Sequence, residues 1–209
     1  NLDNKIKFLK THNLNCKIDD YAFTNKQCTL ATIYIVRDPR NLVDSISNHF
    51  SKSSDESLKF LLSSRILSPG KAGIELEGGN VITYVGSWKE HYNFWTKNSE
   101  NLLLIKYEDL LKDASTEIDK IISFLKKFLD FNVSDKKKEN IINSTSFASL
   151  KKLENSGNFT ENVFIKNTSK KTKFFNKGPN NIWQKQLQKN IQLKLEKELN
   201  KELVELGYL

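Results

Sequence analysis

A strand, a turn and a helix follow one another without a gap near the start of the chain. The run Ala31–Val36 is apolar and β-branched, which is typical of a strand buried in a parallel sheet. Arg37 ends that run, Asp38 begins a turn, and Pro39 takes the first helical position, where its missing N–H costs nothing. The helix is predicted to continue along apolar residues spaced four apart: Leu42, Ile46 and Phe50.

The point where this strand passes into the helix offers the groups that bind a dianion. A helix N-terminus presents backbone N–H groups that lack partners within the helix. Arg37 can hold a phosphate through two parallel hydrogen bonds, and Ser45, about two turns into the helix, can add a hydroxyl donor. The pattern therefore indicates a phosphate site. The alternative is a sheet corner whose arginine is merely solvated.

Two further apolar runs are predicted to be strands, and helical patterns separate them. A short strand over Ile6–Thr11 ends at His12, and another covers Leu102–Lys106. Residues 13–30 and 68–80 are predicted loops, the second because of its glycines and proline. Further helices are predicted over about 56–64, 83–96, 115–129, 135–144 and 147–154. Three strands separated by helices predict an α/β fold with a parallel sheet.

The C-terminal region is predicted to be one long helix, from about residue 181 to 205. A strict four-residue step drifts around a straight helix by about 40° per turn, so the apolar stripe is expected to wrap across the domain. Gly207 occupies the place where a glycine commonly terminates a helix. The stripe consists of Trp183, Leu187, Ile191, Leu195, Leu199 and Leu203.

Composition and charge point to a globular domain with anionic partners. The 209 residues suit one domain, residues 1–209, and the net charge of +8 would draw a nucleotide, a nucleic acid or an acidic membrane surface. No apolar run reaches the roughly 18 residues of a membrane span. Cys16 and Cys28 show no metal-like spacing, which favours reduced thiols and a cytoplasmic location. The three histidines are too scattered to argue for a metal.

Six segments, in order, resemble one family. They are Lys10-Thr11-His12; Arg37 with Ser45; Gly86-Ser87-Trp88-Lys89-Glu90-His91; Lys106-Tyr107-Glu108-Asp109-Leu110; Thr145-Ser146-Phe147; and Asn176-Lys177-Gly178 followed by Trp183. Together they cover about residues 8–185 and resemble the sulfotransferases that use 3′-phosphoadenosine 5′-phosphosulfate (PAPS), a type 1 domain of bacterial-like kind. The resemblance implies a three-layer fold like that of the P-loop NTPases, with a central parallel sheet.

The resemblance also implies a reaction and roles for particular residues. A sulfuryl group would pass from PAPS, as co-substrate, to a hydroxyl or amine of an acceptor, without a metal. His12 would be the general base, and Lys10 would help to hold the sulfuryl or acceptor oxygen. Arg37 and Ser45 would bind the 3′-phosphate. The other nucleotide contacts would come from Tyr107 at the purine edge, from Thr145, Ser146 and Phe147 at the adenine, and from Asn176, Lys177 and Gly178 in a mobile segment over residues 155–178.

The sequence differs from the family pattern in two places, and each difference leads to an expectation. The family's first strand and its phosphosulfate-binding loop, which resembles Lys-Ser/Gly-Gly-Thr-Thr-Trp, are absent before Lys10, so an N-terminal segment is expected to be missing from this sequence. Asn176 stands where the animal enzymes have arginine in an Arg-Lys-Gly triplet, which removes one contact to the 3′-phosphate. Lys177 and the backbone of Gly178 are expected to serve instead.

Two other kinds of function remain open at this point. A P-loop kinase-like phosphotransferase also uses a parallel sheet and basic corners, but such kinases usually employ a carboxylate base rather than a histidine like His12. A non-enzymatic basic module for nucleotides or RNA would fit the interleaved aromatic and basic residues over 170–175, although no nucleic-acid partner is expected. The acceptor could be a carbohydrate, a lipid, a phenol or a small alcohol.

Overall fold

The computed structural model describes residues 5–67, 83–159, 163–164 and 171–209. The strands are β1 (Lys17–Ile18), β2 (Tyr21–Ala22), β3 (Thr32–Val36), β4 (Ile66–Leu67), β5 (Thr83–Tyr84), β6 (Leu102–Lys106), β7 (Val163–Phe164) and β8 (Lys171–Thr172). The helices are α1 (Pro39–Phe50), α2 (Ser54–Leu62), α3 (Trp88–Asn98), α4 (Tyr107–Lys112), α5 (Ala114–Leu125), α6 (Asp135–Ser144), α7 (Phe147–Asn155), α8 (Trp183–Gln186), α9 (Lys189–Glu198) and α10 (Asn200–Glu205), with a 3₁₀ turn at Gly178–Asn180. The predicted loop over 68–80 and part of the segment over 155–178 lie outside the described residues.

The centre of the fold is a parallel pair of strands. β3 and β6 run side by side over five residues, from Thr32 opposite Leu102 to Val36 opposite Lys106. This pairing confirms the predicted α/β class with a parallel sheet. The strand was expected to be buried throughout, but Ile35 is 58% exposed because it faces away from the core into a cleft. Alternate residues of a strand point to opposite faces, so Val36 can be buried while Ile35 is not.

Helix starts follow from local capping. The Asp38 side chain accepts a hydrogen bond from the Arg40 backbone N–H at 2.9 Å, and Pro39 takes the first turn, so α1 begins where the sequence predicts. Before α3, Ser87 and Glu90 form a reciprocal capping box. That box starts α3 at Trp88, several residues after the predicted start at 83, and leaves the preceding residues free to form β5.

The predicted strand over Ile6–Thr11 is wrong. Residues 5–16 have no regular structure, and the loop predicted after them contains the β1–β2 hairpin. A strand needs a ladder of hydrogen bonds to a neighbour, and the described residues offer this run none. The chain is held just beyond it instead, where the Trp95 indole N–H donates to the Asn13 carbonyl and the Tyr84 N–H donates to the Asn13 side chain, both at 2.9 Å.

The predicted single C-terminal helix is also wrong, although four of the six residues in its apolar stripe are buried as expected. The chain divides into α8, α9 and α10, with extended backbone at Leu187 and a kink at Leu199. Residues spaced four apart shift gradually around the helix axis, and each break interrupts that shift. The apolar stripe therefore stays on the side that faces the core. The buried members, each at most 1% exposed, are Ile191, Leu195, Leu199 and Leu203.

A buried arginine joins the start of α1 to the end of the chain. Arg40 is 4% exposed, and its guanidinium donates to Asp38, to Glu196 and to the backbone carbonyl of Tyr208, each at 2.8 Å. The Trp183 ring lies 4.1 Å from the guanidinium carbon. This cluster ties the turn after β3 to α8, α9 and the C-terminus, and it thereby supports the site that begins at Arg37.

Candidate nucleotide site

A cleft of about 810 Å³ opens where β3 ends. Its walls come from the end of β3, from α1, from the start of α4, from the junction of α6 with α7, and from the 3₁₀ turn. The sequence assigned all of these segments to nucleotide binding, and the fold brings them together. The predicted residues that line the cleft are Arg37, Ser45, Tyr107, Thr145, Ser146, Phe147, Asn176, Lys177 and Gly178.

Arg37 lines the cleft, and two neighbouring side chains hold its guanidinium. Its Nη1 donates to Ser45 Oγ at 3.2 Å, and its guanidinium carbon lies 4.6 Å from the centre of the Tyr107 ring. Its Nε is enclosed and has no hydrogen-bond partner among the residues that the structure describes. A guanidinium that is held on an aromatic ring and keeps an unpaired N–H is suited to an anion.

A residue that the sequence analysis did not identify completes this corner. Asn181 is 7% exposed, lines the cleft, and donates from Nδ2 to Ser45 Oγ at 3.1 Å and to the Asn41 carbonyl at 2.9 Å. Its position three residues after Gly178, within a segment already assigned to the nucleotide, was the available signal. Ser45 therefore lies between two nitrogen donors.

Lys177, the cation that was predicted to contact the nucleotide, already contacts other side chains of the protein. The Lys177 ammonium lies 2.6 Å from Asp44 Oδ1 and also donates to the Gln186 side chain. Asp44 was not predicted, and it places a carboxylate in the same cleft. Asn176 contributes its backbone carbonyl, which accepts from the Lys151 ammonium at 3.4 Å. A phosphate bound here would therefore share Lys177 with Asp44.

The hydroxyls predicted near the adenine have structural partners. Thr145 Oγ1 donates to the carbonyl of Ile141 at 2.7 Å, and Ser146 Oγ accepts from the Ser149 N–H to cap α7. Phe147 presents its ring to the cleft and packs edge-on against Phe175. The aromatic ring therefore remains the group at this junction best suited to stack on a base.

Position 178 requires glycine because of its backbone conformation and because of the neighbouring Phe147 ring. Its φ is +54°, and a Cβ at this position would lie well inside van der Waals contact with the Phe147 ring. Gly178→Ala is therefore expected to displace that ring and to weaken nucleotide binding about five- to 150-fold in calorimetry, the loss of one aromatic stacking contact. The control is Gly207→Ala, because Gly207 has a φ of +67° but no atom within 4 Å of a Cβ. Equal nucleotide affinities in the two variants would contradict the role given to Phe147.

Lys10 and His12 lie apart from this cleft. Both are exposed, and neither is among the residues that line it. His12 precedes the anchored Asn13 and lies beside His91, whose Nδ1 is 2.9 Å from the Tyr34 hydroxyl on β3. Burial lowers the pKa of His91 to about 4, and a hydrogen bond with the His12 backbone opposes that shift. The structure thus brings together the predicted nucleotide residues but not the predicted catalytic ones.

Comparison with known proteins identifies the family. The model of the sulfotransferase domain matches residues 2–207, so the chain belongs to the sulfotransferase domain family, a family of transferases. Sulfotransferase 2A1 of Mus musculus is 32% identical over 133 residues, which are 61% of this chain and 41% of that protein. Sulfotransferase 1B1 of Mus musculus is 33% identical over 150 residues, or 69% of this chain and 44% of that protein. The chain thus spans less than half the length of these relatives.

Solved structures show the same fold. Mouse sulfotransferase SULT7A1 complexed with PAP superposes with a TM-score of 0.61 at 24% identity, over 91% of this chain and 63% of that one. Retinol dehydratase in complex with androsterone and inactive cofactor PAP gives a TM-score of 0.51 at 18% identity, over 83% and 47%. The predicted P-loop NTPase-like fold class is confirmed. The bacterial-like assignment finds no support in the two sulfotransferases compared by sequence, which are from Mus musculus.

No helix in the described ranges combines the length and apolar character needed to cross a membrane. Across the same ranges, no three His, Cys, Asp or Glu side chains are grouped so that they could hold a metal ion.

Proposed function

We propose that the protein transfers a sulfuryl group from PAPS to a hydroxyl or amine of an acceptor. The observation that carries the proposal is the Arg37–Ser45 pair at the end of β3, set in a cleft lined by every residue that the sequence assigned to the nucleotide. Two structural neighbours with this fold are described as complexes with PAP, adenosine 3′,5′-bisphosphate. That molecule is what PAPS becomes when it loses its sulfuryl group.

The charge, chemistry and volume of the cleft support the binding of a 3′-phosphorylated adenosine. Arg37 offers an enclosed N–H with no partner among the described residues, and Ser45 offers a hydroxyl beside it. The Phe147 ring can stack on a purine, and the apolar lining includes Ile35 and Leu110. A volume of about 810 Å³ lies within the range of sites for small molecules and cofactors.

The reaction needs no covalent step on the protein. The acceptor oxygen or nitrogen forms a bond to sulfur while the bond between sulfur and the phosphate oxygen breaks, and the bisphosphate leaves with that electron pair. His12 would remove the acceptor's proton, since histidine is the side chain that most often serves as a general base. Lys10 would hold an oxygen of the sulfuryl group or the acceptor, where a positive group stabilises developing negative charge.

The acceptor is proposed to be a small molecule, a carbohydrate or a lipid. One structural neighbour is a complex with androsterone, a small hydroxylated molecule, which suits this class. We further propose that residues 1–209 act as a single domain and that the protein is cytoplasmic, without a metal and without nucleic acid as a partner. Cys16 and Cys28 are free thiols, in keeping with a reducing compartment.

The test of this function is the contribution of the 3′-phosphate to binding. Calorimetry with PAP and with AMP, which lacks the 3′-phosphate, is expected to show a preference for PAP. Arg37→Ala should remove about 1.5–3 kcal/mol from PAP binding, the range for hydrogen bonds to charged groups, and leave AMP binding nearly unchanged. Arg65→Ala is the matched control, because it also removes one positive charge but lies outside the cleft.

Two outcomes would reject the proposal. Equal affinities of the unaltered protein for PAP and AMP would remove the basis for a 3′-phosphate site. Salt-dependent binding of oligonucleotides without a preference for PAP would instead favour a basic nucleic-acid-binding module.

A further inference from the structure

We infer that Asn181 is a positioning residue that presets the Ser45 hydroxyl as a hydrogen-bond donor to the 3′-phosphate. The inference rests on the proposed function and extends it to a residue outside the predicted site. Asn181 is buried, at 7% exposure, and reaches Ser45 from the 3₁₀ turn, 136 residues away in the chain. Its effect would pass through Ser45 rather than through contact with the reacting atoms.

The orientation of the Asn181 amide follows from its surroundings. One end of the side chain lies 2.9 Å from the backbone carbonyl of Asn41, which can only accept a hydrogen bond. That end must therefore be the Nδ2 amino group, since an oxygen there would face another oxygen. The same Nδ2 lies 3.1 Å from Ser45 Oγ, so both of its N–H bonds have acceptors. Oδ1 is enclosed, with no partner in the described part of the chain.

The consequence for Ser45 is that its oxygen already accepts two hydrogen bonds. Arg37 Nη1 donates to it at 3.2 Å and Asn181 Nδ2 donates at 3.1 Å, which accounts for both lone pairs. The hydroxyl proton must point elsewhere. The described acceptor within range is the Asn41 carbonyl at 3.5 Å, which is longer than an ordinary O–H···O bond, so a phosphate oxygen at normal distance would be a better acceptor.

A ligand group that only accepts hydrogen bonds suits this arrangement. A phosphate oxygen can take the Ser45 proton, whereas a donor group such as an amine would meet a proton already pointing toward it. The Ser45 oxygen needs no new position when the anion binds, because Arg37 and Asn181 already hold it, and the proton only exchanges its long contact with the Asn41 carbonyl for a phosphate oxygen. Asn181 should therefore raise the affinity for PAP but contribute little to the affinity for AMP.

The experiment is a double-mutant cycle read as the ratio of PAP affinity to AMP affinity. It compares the unaltered protein with Asn181→Ala, Ser45→Ala and the double variant, and uses Asn180→Ala, an exposed neighbour, as the control. Asn181→Ala is expected to lower the ratio about three- to tenfold, the equivalent of one net hydrogen bond. In the Ser45→Ala background the same change should lower it less than twofold. Asn180→Ala should leave the ratio unchanged.

Asn181→Asp extends the test with a side chain of nearly the same shape. A carboxylate at this place would accept the Ser45 proton and repel a phosphate, so the ratio should fall further than in Asn181→Ala. AMP binding within about twofold of the unaltered protein shows that a variant is folded. If Asn181→Ala also loses AMP binding, the Asn181→Asp variant is used to test the inference instead. That variant replaces only the amide NH₂ group by an oxygen.

Each result separates this inference from the proposed function. A preference for PAP that Asn181→Ala and Asn181→Asp both leave intact overturns the role of Asn181 while the 3′-phosphate site stands. Equal losses from Asn181→Ala with and without Ser45 overturn the route through Ser45. No preference for PAP in the unaltered protein overturns the proposed function, and the inference with it.

Discussion

Replacing His12 by alanine in the full-length protein is expected to lower the rate of sulfuryl transfer by about a hundredfold or more, the usual contribution of a general base. The affinity for PAP should change by no more than about threefold, because the base acts on the acceptor and makes little contact with the nucleotide in the ground state. The measurement is single-turnover transfer from PAPS, performed beside equilibrium binding of PAP. A variant that retains more than about a tenth of the unaltered rate would show that His12 is not the base.

Ser45→Ala is expected to have the opposite effects on turnover and binding. A His12 with only a structural role could not produce this contrast. It should weaken PAP binding by about 1.5–3 kcal/mol through a lost hydrogen bond to an anion. His12 lies beside His91 and does not line the cleft that contains Arg37 and Ser45, which predicts this separation of effects. If His12 served only to hold the chain near α3, its loss would lower stability, binding and turnover together.

Arg40→Ala is expected to destabilise the fold by about 3–5 kcal/mol, because it leaves the buried carboxylate of Asp38 without its partner. Asp38 is 3% exposed, and Glu196 also depends on Arg40 for a hydrogen bond at 2.8 Å. Urea unfolding followed by circular dichroism measures the change. The control is Lys17→Ala, which breaks an exposed ion pair with Asp20 and should cost about 0–1 kcal/mol.

A loss below about 1 kcal/mol in Arg40→Ala would mean that water replaces the guanidinium and that the cluster does not hold the chain end. The expected loss has a functional consequence, because Asp38 follows Arg37 directly and caps the helix that carries Ser45. A protein that is destabilised there should also bind PAP less tightly.

Local signals in the sequence determined the corner at which the proposed site begins. Asp38 and Pro39 specify a helix start, and eight residues place Ser45 within reach of Arg37, so no distant contact is needed to predict their pairing. The apolar stripe of the C-terminal region likewise predicted which residues are buried. The resemblance to a family then assigned the separate segments that line the cleft.

Tertiary structure alone decided the features that depend on partners distant in sequence. The run Ile6–Thr11 has strand-like residues but no ladder among the described strands, and periodicity cannot reveal a missing neighbour. The backbone is extended at Leu187 and kinked at Leu199, and the regular four-residue spacing of the stripe predicts neither break.

Local sequence patterns also could not predict the polar contacts of the cleft. Asp44 meets Lys177 across 133 residues, and Asn181 meets Ser45 across 136. Spacing along the chain predicts which face of a helix or strand a residue occupies, because those periods are fixed by backbone geometry. Which polar groups then face one another depends on how the elements pack, and only the folded chain determines that.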